Sequence, residues 1–355
     1  MKQYQIRINQ LPFILALCTL LLGRLGYAQD DKKSMVRIAL SAEPVKREYV
    51  LGEPVVMKVK MRNWLGPRVL LSTNLDLKAE STILRIIKKG RPGDIYRAFY
   101  EGAAPLTEKE YMLGYGQAIQ SHYTVLYDKD DEQGLALAQP GPYRFQLNQE
   151  IYALNTYLPN PLRERKVVTD ISEEITVVEP DGRNREAFEL LKKTPICFRD
   201  LNRQIASYAS IHVFRKVVQE YGDTVYAPYA ADAIASFYWF LASEDVSQRK
   251  TAIEMHRKAL ERYPDYIFYD ELSMTLSELL SQDGQLNEAV AVAKEVLDRS
   301  IENLFLFRKF RVMREIRGLR GNRFNQLINI CWPLFDPTEL AEAYAQISLE
   351  RGEEQ

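Results

Sequence analysis

Histidine and cysteine are scarce in this chain of 355 residues, with three of each. His122, His212 and His256 stand far apart, and no His-Glu-x-x-His, Cys-x-x-Cys, Gly-x-Ser-x-Gly or phosphate-cradling glycine run occurs. Zincin, thiol-redox, serine-hydrolase and nucleotide-loop chemistries therefore lack the residues they need at the spacing they need. Gly114-Tyr115-Gly116 has no third glycine for a dinucleotide loop, and Ser247-Gln248-Arg249-Lys250 matches Ser-x-x-Lys by spacing alone. The acidic run Asp128-Lys129-Asp130-Asp131-Glu132-Gln133-Gly134 offers oxygens at alternate positions, as calcium prefers. However, its sixth position is Gln133, and the twelfth is Gln139, which cannot supply a bidentate carboxylate. It reads as a solvated acidic turn. The expectation is a chain without catalytic residues, cofactor or metal.

Long apolar runs are also missing. The longest, Leu11 to Leu22, is interrupted by Pro12 and Thr19 and is too short to cross a bilayer of ~30 Å. Lys2 and Arg7 precede it and Gly26-Tyr27-Ala28 follows, so residues 1–28 read as a cleaved secretory signal. Residues 29–34 form a charged linker. Removing the signal takes away Lys2, Arg7 and Arg24 and no acid, so the net charge moves from −1 to −4. Nothing global then favours nucleic acid. No Asn-x-Ser/Thr sequon occurs, which leans toward a bacterial periplasmic or secreted protein. Cys197 and Cys331 are the cysteines left after processing. They lie at opposite ends of a helical region whose neighbouring helices pack ~8–10 Å apart, beyond the ~7 Å a disulfide spans. Two free, mostly buried thiols are expected.

From Met35 to about Val178 the apolar pattern has period two. Val55, Met57, Val59 and Met61 alternate with Val56, Lys58, Lys60 and Arg62, as in a strand with one buried face. Further strands are expected at Val36–Ser41, Arg68–Ser72, Thr82–Lys88, Ser121–Tyr127, Tyr143–Ile151 and Glu174–Val178. Turn clusters such as Gly90-Arg91-Pro92-Gly93 and Gln139-Pro140-Gly141-Pro142 separate them. Short strands in this number predict an antiparallel sandwich over residues 35–180. Tyr49-Val50-Leu51-Gly52-Glu53-Pro54-Val55 resembles the turn into the second strand of immunoglobulin-like domains. Leu137-Ala138-Gln139-Pro140-Gly141-Pro142-Tyr143 resembles their tyrosine corner, in which the phenol tethers the preceding loop. The paired core cysteines of antibody domains are absent, so the resemblance covers architecture and no specific family.

Residues 184–355 change to helical periodicity. Val213-Phe214-Arg215-Lys216-Val217-Val218-Gln219-Glu220-Tyr221-Gly222-Asp223 aligns with Met255-His256-Arg257-Lys258-Ala259-Leu260-Glu261-Arg262-Tyr263-Pro264-Asp265 at a constant offset of 42 residues. Each copy is an amphipathic helix end, a tyrosine, a breaker and an aspartate able to cap the next helix. Around this repeat, Leu276, Ser277, Leu280, Gly284, Ala289, Ala293 and Val296 form one unit. Ala231, Ile234, Ala235, Tyr238, Ala252, His256, Ala259 and Pro264 form the one before it. The spacing of these residues resembles tetratricopeptide repeats, with extra residues in the turn around Ser243 to Arg249 and degenerate units at Thr194-Pro195 and after Leu304. His256 reads as a packing residue.

The resemblance implies a helical stack with a concave binding face. Its first-helix positions map to Tyr229, Asp232, Ser236 and Trp239, and in the next unit to Glu271, Met274, Glu278 and Ser281. An aromatic pair beside carboxylates can stack on a peptide and hold its basic or amide groups. The run from Tyr152 to Arg165, with Tyr157 and Leu158, reads as a long connection able to bind, or to pack on the helices. The basic stretch Arg308 to Arg323 reads as a solvated helix face, with an acidic partner or anionic head groups as alternatives. The expectation is a multidomain β plus α protein, an exported non-enzymatic adaptor that binds a protein or peptide of the cell envelope. Two other readings stay open: a carbohydrate- or cell-wall-binding sandwich with a helical spacer, and an enzyme with its site at the domain junction.

Overall fold

The computed structural model describes residues 37–65, 69–73, 77, 81–88, 91–96, 109–113, 118–128, 134–155 and 163–299. The signal-like residues 1–28, the linker 29–34, Cys331 and the basic stretch 308–323 lie outside them. Eleven strands come first among the described residues, then seven α-helices.

Two sheets form. One orders β1 (Arg37–Pro44), β3 (Val55–Leu65) and β8 (Ala118–Val125), all antiparallel. Val55, Met57, Val59 and Met61 are fully buried, as the period-two pattern requires, although Val56, expected on the other face, is fully buried too. The other sheet is built around β9 (Gly141–Asn155). β10 (Arg163–Ile171) and β11 (Ile175–Val178) pair with β9, as do β5 (Thr82–Lys88) and β4 (Val69–Thr73). β6 (Arg91–Tyr96) adds to β5, β7 (Lys109–Leu113) to β4, and β2 (Glu48–Val50) runs parallel to β11. With neighbours on both sides, β9 alternates buried Tyr143, Phe145, Leu147, Gln149, Ile151 and Ala153 with more exposed residues. The Tyr143 hydroxyl donates to the Gln139 carbonyl at 2.6 Å, which is the tether expected at that corner.

The helices are α1 (Gly182–Lys192), α2 (Ile196–Arg203), α3 (Ile211–Glu220), α4 (Ala227–Glu244), α5 (Arg249–Arg262), α6 (Tyr269–Gln282) and α7 (Leu286–Arg299). From α3 onward each helix packs on the next. Small residues allow the close approaches: the Ser277 hydroxyl donates to the Ala289 carbonyl across α6 and α7 at 2.8 Å, and Gly284 makes their turn at φ +81°. A short 3₁₀ turn, Val246–Gln248, takes up the extra residues before α5. The expected aspartate caps do not form. The residues capping α4 and α6 are Tyr226 and Phe268, and neither makes a side-chain cap bond. Asp223 lies too far upstream for that and pairs with Arg183 at 2.8 Å.

One continuous apolar core runs from Leu40 of β1 through the sheets to Phe214, Tyr229 and Phe268 of the helical half. A second cluster, with Ala235, Ala252, Leu276, Leu280 and Ala289, lies between the later helices. The turn Leu51-Gly52-Glu53 inserts into the join. Gly52 has φ +80°, and a Cβ there would lie 2.6 Å from the Phe188 ring and 3.2 Å from that of Phe198. Cys197 is buried in the same core, and desolvation pushes its thiol up to about 12.

Candidate functional site

The face assigned from the helical pattern divides into a covered and an open part. At the start of α4 the Tyr226 hydroxyl donates to the Leu51 carbonyl at 2.6 Å, and that of Tyr229 reaches the Pro54 carbonyl at 3.5 Å. Both tyrosines are buried, and desolvation raises both phenols far above their ordinary range. Asp232, one turn further on, is buried as well. It accepts from the Tyr266 hydroxyl at 2.8 Å and from Ser236 at 3.4 Å. Burial pushes its carboxyl up to about 7, against the lowering effect of these bonds. The Tyr229 and Tyr266 rings meet edge to face at 5.3 Å.

The start of α6 touches the strand half but is only partly covered. His122 of β8 stands 3.7 Å from the Glu271 carboxylate and edge-on to the Phe268 ring at 5.9 Å. Met274 is buried. Tyr229, Asp232 and Met274 are buried and therefore cannot line an open groove: the strand half covers Tyr229 at Pro54, and Tyr266 encloses Asp232. Glu53, itself buried, anchors that side. It accepts from the Val50 amide at 3.1 Å and pairs with Lys46, while burial raises its carboxyl.

Beyond this cover the residues open out. Ser236, Trp239 and Glu278 are partly exposed, and Glu278 accepts from Gln282 at 3.1 Å. Two residues the repeat register did not assign to the face are more exposed still. Phe240 is 49% exposed, and Tyr208, in the turn between α2 and α3, is 76% exposed. The Tyr208 ring packs edge-on against Phe237 of α4 at 5.1 Å. Its turn is held firmly. The buried Asp200 carboxylate accepts from the Ser207 amide at 3.0 Å, the Ser207 hydroxyl at 2.6 Å and the Ser210 hydroxyl at 2.5 Å. The Ala206 amide also donates to the Ala233 carbonyl of α4 at 3.0 Å. The local signal was an aromatic residue inside the small polar run Ser207-Tyr208-Ala209-Ser210, where no helix periodicity demands one.

The other assigned positions fall elsewhere. Tyr152 is a half-buried residue of β9 opposite Arg165 of β10, so both ends of the expected long connection lie in paired strands. Tyr157 and Leu158 lie outside the described residues, as does most of the acidic turn 128–134. Among the described residues no group of three or more His, Cys, Asp or Glu is arranged to hold a metal, and no helix is long and apolar enough to cross a membrane. His256 is buried, with Nδ1 2.8 Å from the Ala252 carbonyl, and desolvation lowers it to about 4.

No family model matches the chain, and no curated protein matches it. Among solved structures it is similar to a β-glucosidase from Listeria innocua at 14% identity, over 41% of this chain and 16% of that one, with a TM-score of 0.21. It is also similar to Spo0M, a sporulation control protein from Bacillus subtilis, at 12% identity, over 45% of this chain and 56% of that one, with a TM-score of 0.22. The chain thus spans less than two thirds of either protein, and likeness at this level bears on neither fold nor activity.

Proposed function

We propose that this chain is an exported binding module of the bacterial envelope. In this reading an immunoglobulin-like sandwich braces a tetratricopeptide-like helical stack, and the stack holds a protein or peptide partner. The observation that carries it is the exposure of Tyr208, whose ring rests on Phe237 of α4, and of Phe240 one turn further along that helix, with Trp239 partly exposed. Aromatic side chains left in water beside a rigid support are the usual anchors of a protein interface, and each contributes about 2 kcal/mol or more where it fills a partner's pocket. The bonds from Asp200 supply that support, so little conformational freedom remains to be lost on binding. The hydroxyl of Ser236 and the carboxylate of Glu278 add polar groups for a partner's amide or basic side chain.

Affinity capture from an envelope extract of the source organism tests this. The wild-type chain is expected to retain a partner that Tyr208→Ala with Phe240→Ala loses, while both proteins unfold at nearly the same temperature. Equal retention by both proteins would remove this face from the proposal.

A further inference from the structure

A hollow lies between α3, α4 and α5. Its volume is about 700 Å³, within the ~300–1,000 Å³ of small-molecule sites. Val218, Ala231, Ile234, Met255 and Ala259 give it an apolar lining. Its charged lining consists of Arg215, Lys258 and Arg262 with a single acid, Glu261.

The two arginines are positioned by aromatic rings. The Arg215 guanidinium stands 5.9 Å from the centre of the Tyr238 ring and donates to its hydroxyl. That of Arg262 stands 5.7 Å from the centre of the Tyr263 ring. Among the described residues neither arginine forms an ion pair, whereas Lys258 is paired with Glu254 at 2.6 Å. Arg262 passes so close to Gly222 that a Cβ there would overlap its guanidinium. An apolar hollow with two guanidinium groups that form no ion pair is complementary to a molecule with an aliphatic body and an anionic head.

We infer that this hollow is a binding site for a small amphiphilic carboxylate. The aliphatic body lies against Ile234, Met255 and Val218, and the head is held by Arg215 and Arg262. Glu261 works against a dianionic head, so a single carboxylate suits the lining better than a phosphate. Neither Tyr208 nor Phe240 lines the hollow, and the inference does not depend on their binding anything.

The test is calorimetric titration of the full chain with laurate, below its micelle concentration, against dodecyltrimethylammonium of the same chain length. One saturable laurate site per chain is expected, with no saturable site for the cation. Arg215→Ala and Arg262→Ala should each weaken laurate by about tenfold or more. Gly222→Ala should weaken it by displacing Arg262, and the exposed Lys258→Glu by reversing charge at the lining. Unfolding midpoints measured without laurate show whether each variant is folded, and Arg215→Ala and Lys258→Glu, both exposed, carry the test if Arg262→Ala is not. Equal binding of the two amphiphiles, unchanged laurate affinity in the folded arginine variants, or no saturable laurate site would overturn the inference. So would saturable binding of an acidic peptide in place of laurate.

Discussion

The first and second halves of α4 belong to the same helix and the same repeat register, yet they do different work. In the first half Tyr226, Tyr229 and Asp232 are enclosed by the strand half and by Tyr266. In the second half Ser236, Trp239 and Phe240 keep contact with solvent. A register assigns residues to a helix face, but what lies across that face is decided by other parts of the chain. Here the cover is the turn Leu51-Gly52-Glu53-Pro54, some 175 positions away from Tyr226 and Tyr229. On α6 the contrast is weaker: Glu271, beside His122, and Glu278 are both partly exposed.

The largest expected effect comes from breaking the covered half. Tyr229→Ala leaves a cavity in the shared core and an unfilled contact at Pro54, and it should cost about 3–5 kcal/mol in urea unfolding. Gly52→Ala meets both the positive φ and the Phe188 ring, with an expected loss of about 1–3 kcal/mol. A variant at either position that keeps wild-type stability would mean the two halves of the molecule do not share a core.

A subtler effect lies in pH. Asp232, ordinarily 3.8, is raised to about 7 in the folded protein. Between those values the unfolded chain has released a proton that the folded one still holds, so Asp232 makes stability fall as pH rises. His256 works in the opposite sense. Lowered from 6.5 to about 4, it makes stability rise with pH across that window, because there the unfolded chain binds the extra proton. Glu53, also raised, adds to the falling side. Each fully expressed slope amounts to about 1.4 kcal/mol per pH unit. Asp232→Asn should therefore unmask the rising slope between about pH 4 and 6.5, and His256→Asn the falling one. Identical slopes in wild type and both variants would show that neither group is held as described. By contrast, Tyr208→Ala and Phe240→Ala, which remove exposed rings, should each change stability by only about 0.5 kcal/mol.

Much of the local structure could be read from residue order. The strand Thr82–Lys88 and the alternation through Val55–Met61 follow the period-two pattern, and the Tyr143 tether and the Gly284 turn follow from residue type. Other elements were hidden by local chemistry. β6 contains Arg91-Pro92-Gly93, which reads as a turn, and β10 lies in a proline-flanked, charged run that reads as a loop. An edge strand that buries little on one face gives weak alternation, and exposed Val167 and Ile171 on β10 invert it. The join between the two halves left no periodic trace, because its contacts connect residues far apart in the chain. For the same reason Tyr229 looked like a groove residue, whereas Tyr208, the more exposed ring, sits in a turn with no register to place it.

Oxidative footprinting of the chain alone and with its captured partner tests the division of α4 most directly. Tyr208 and Phe240 should react readily in the free protein and become protected in the complex, with Tyr226, Tyr229 and Tyr266 unreactive in both. Protection confined to other surfaces, or ready oxidation of Tyr229 in the free protein, would contradict it.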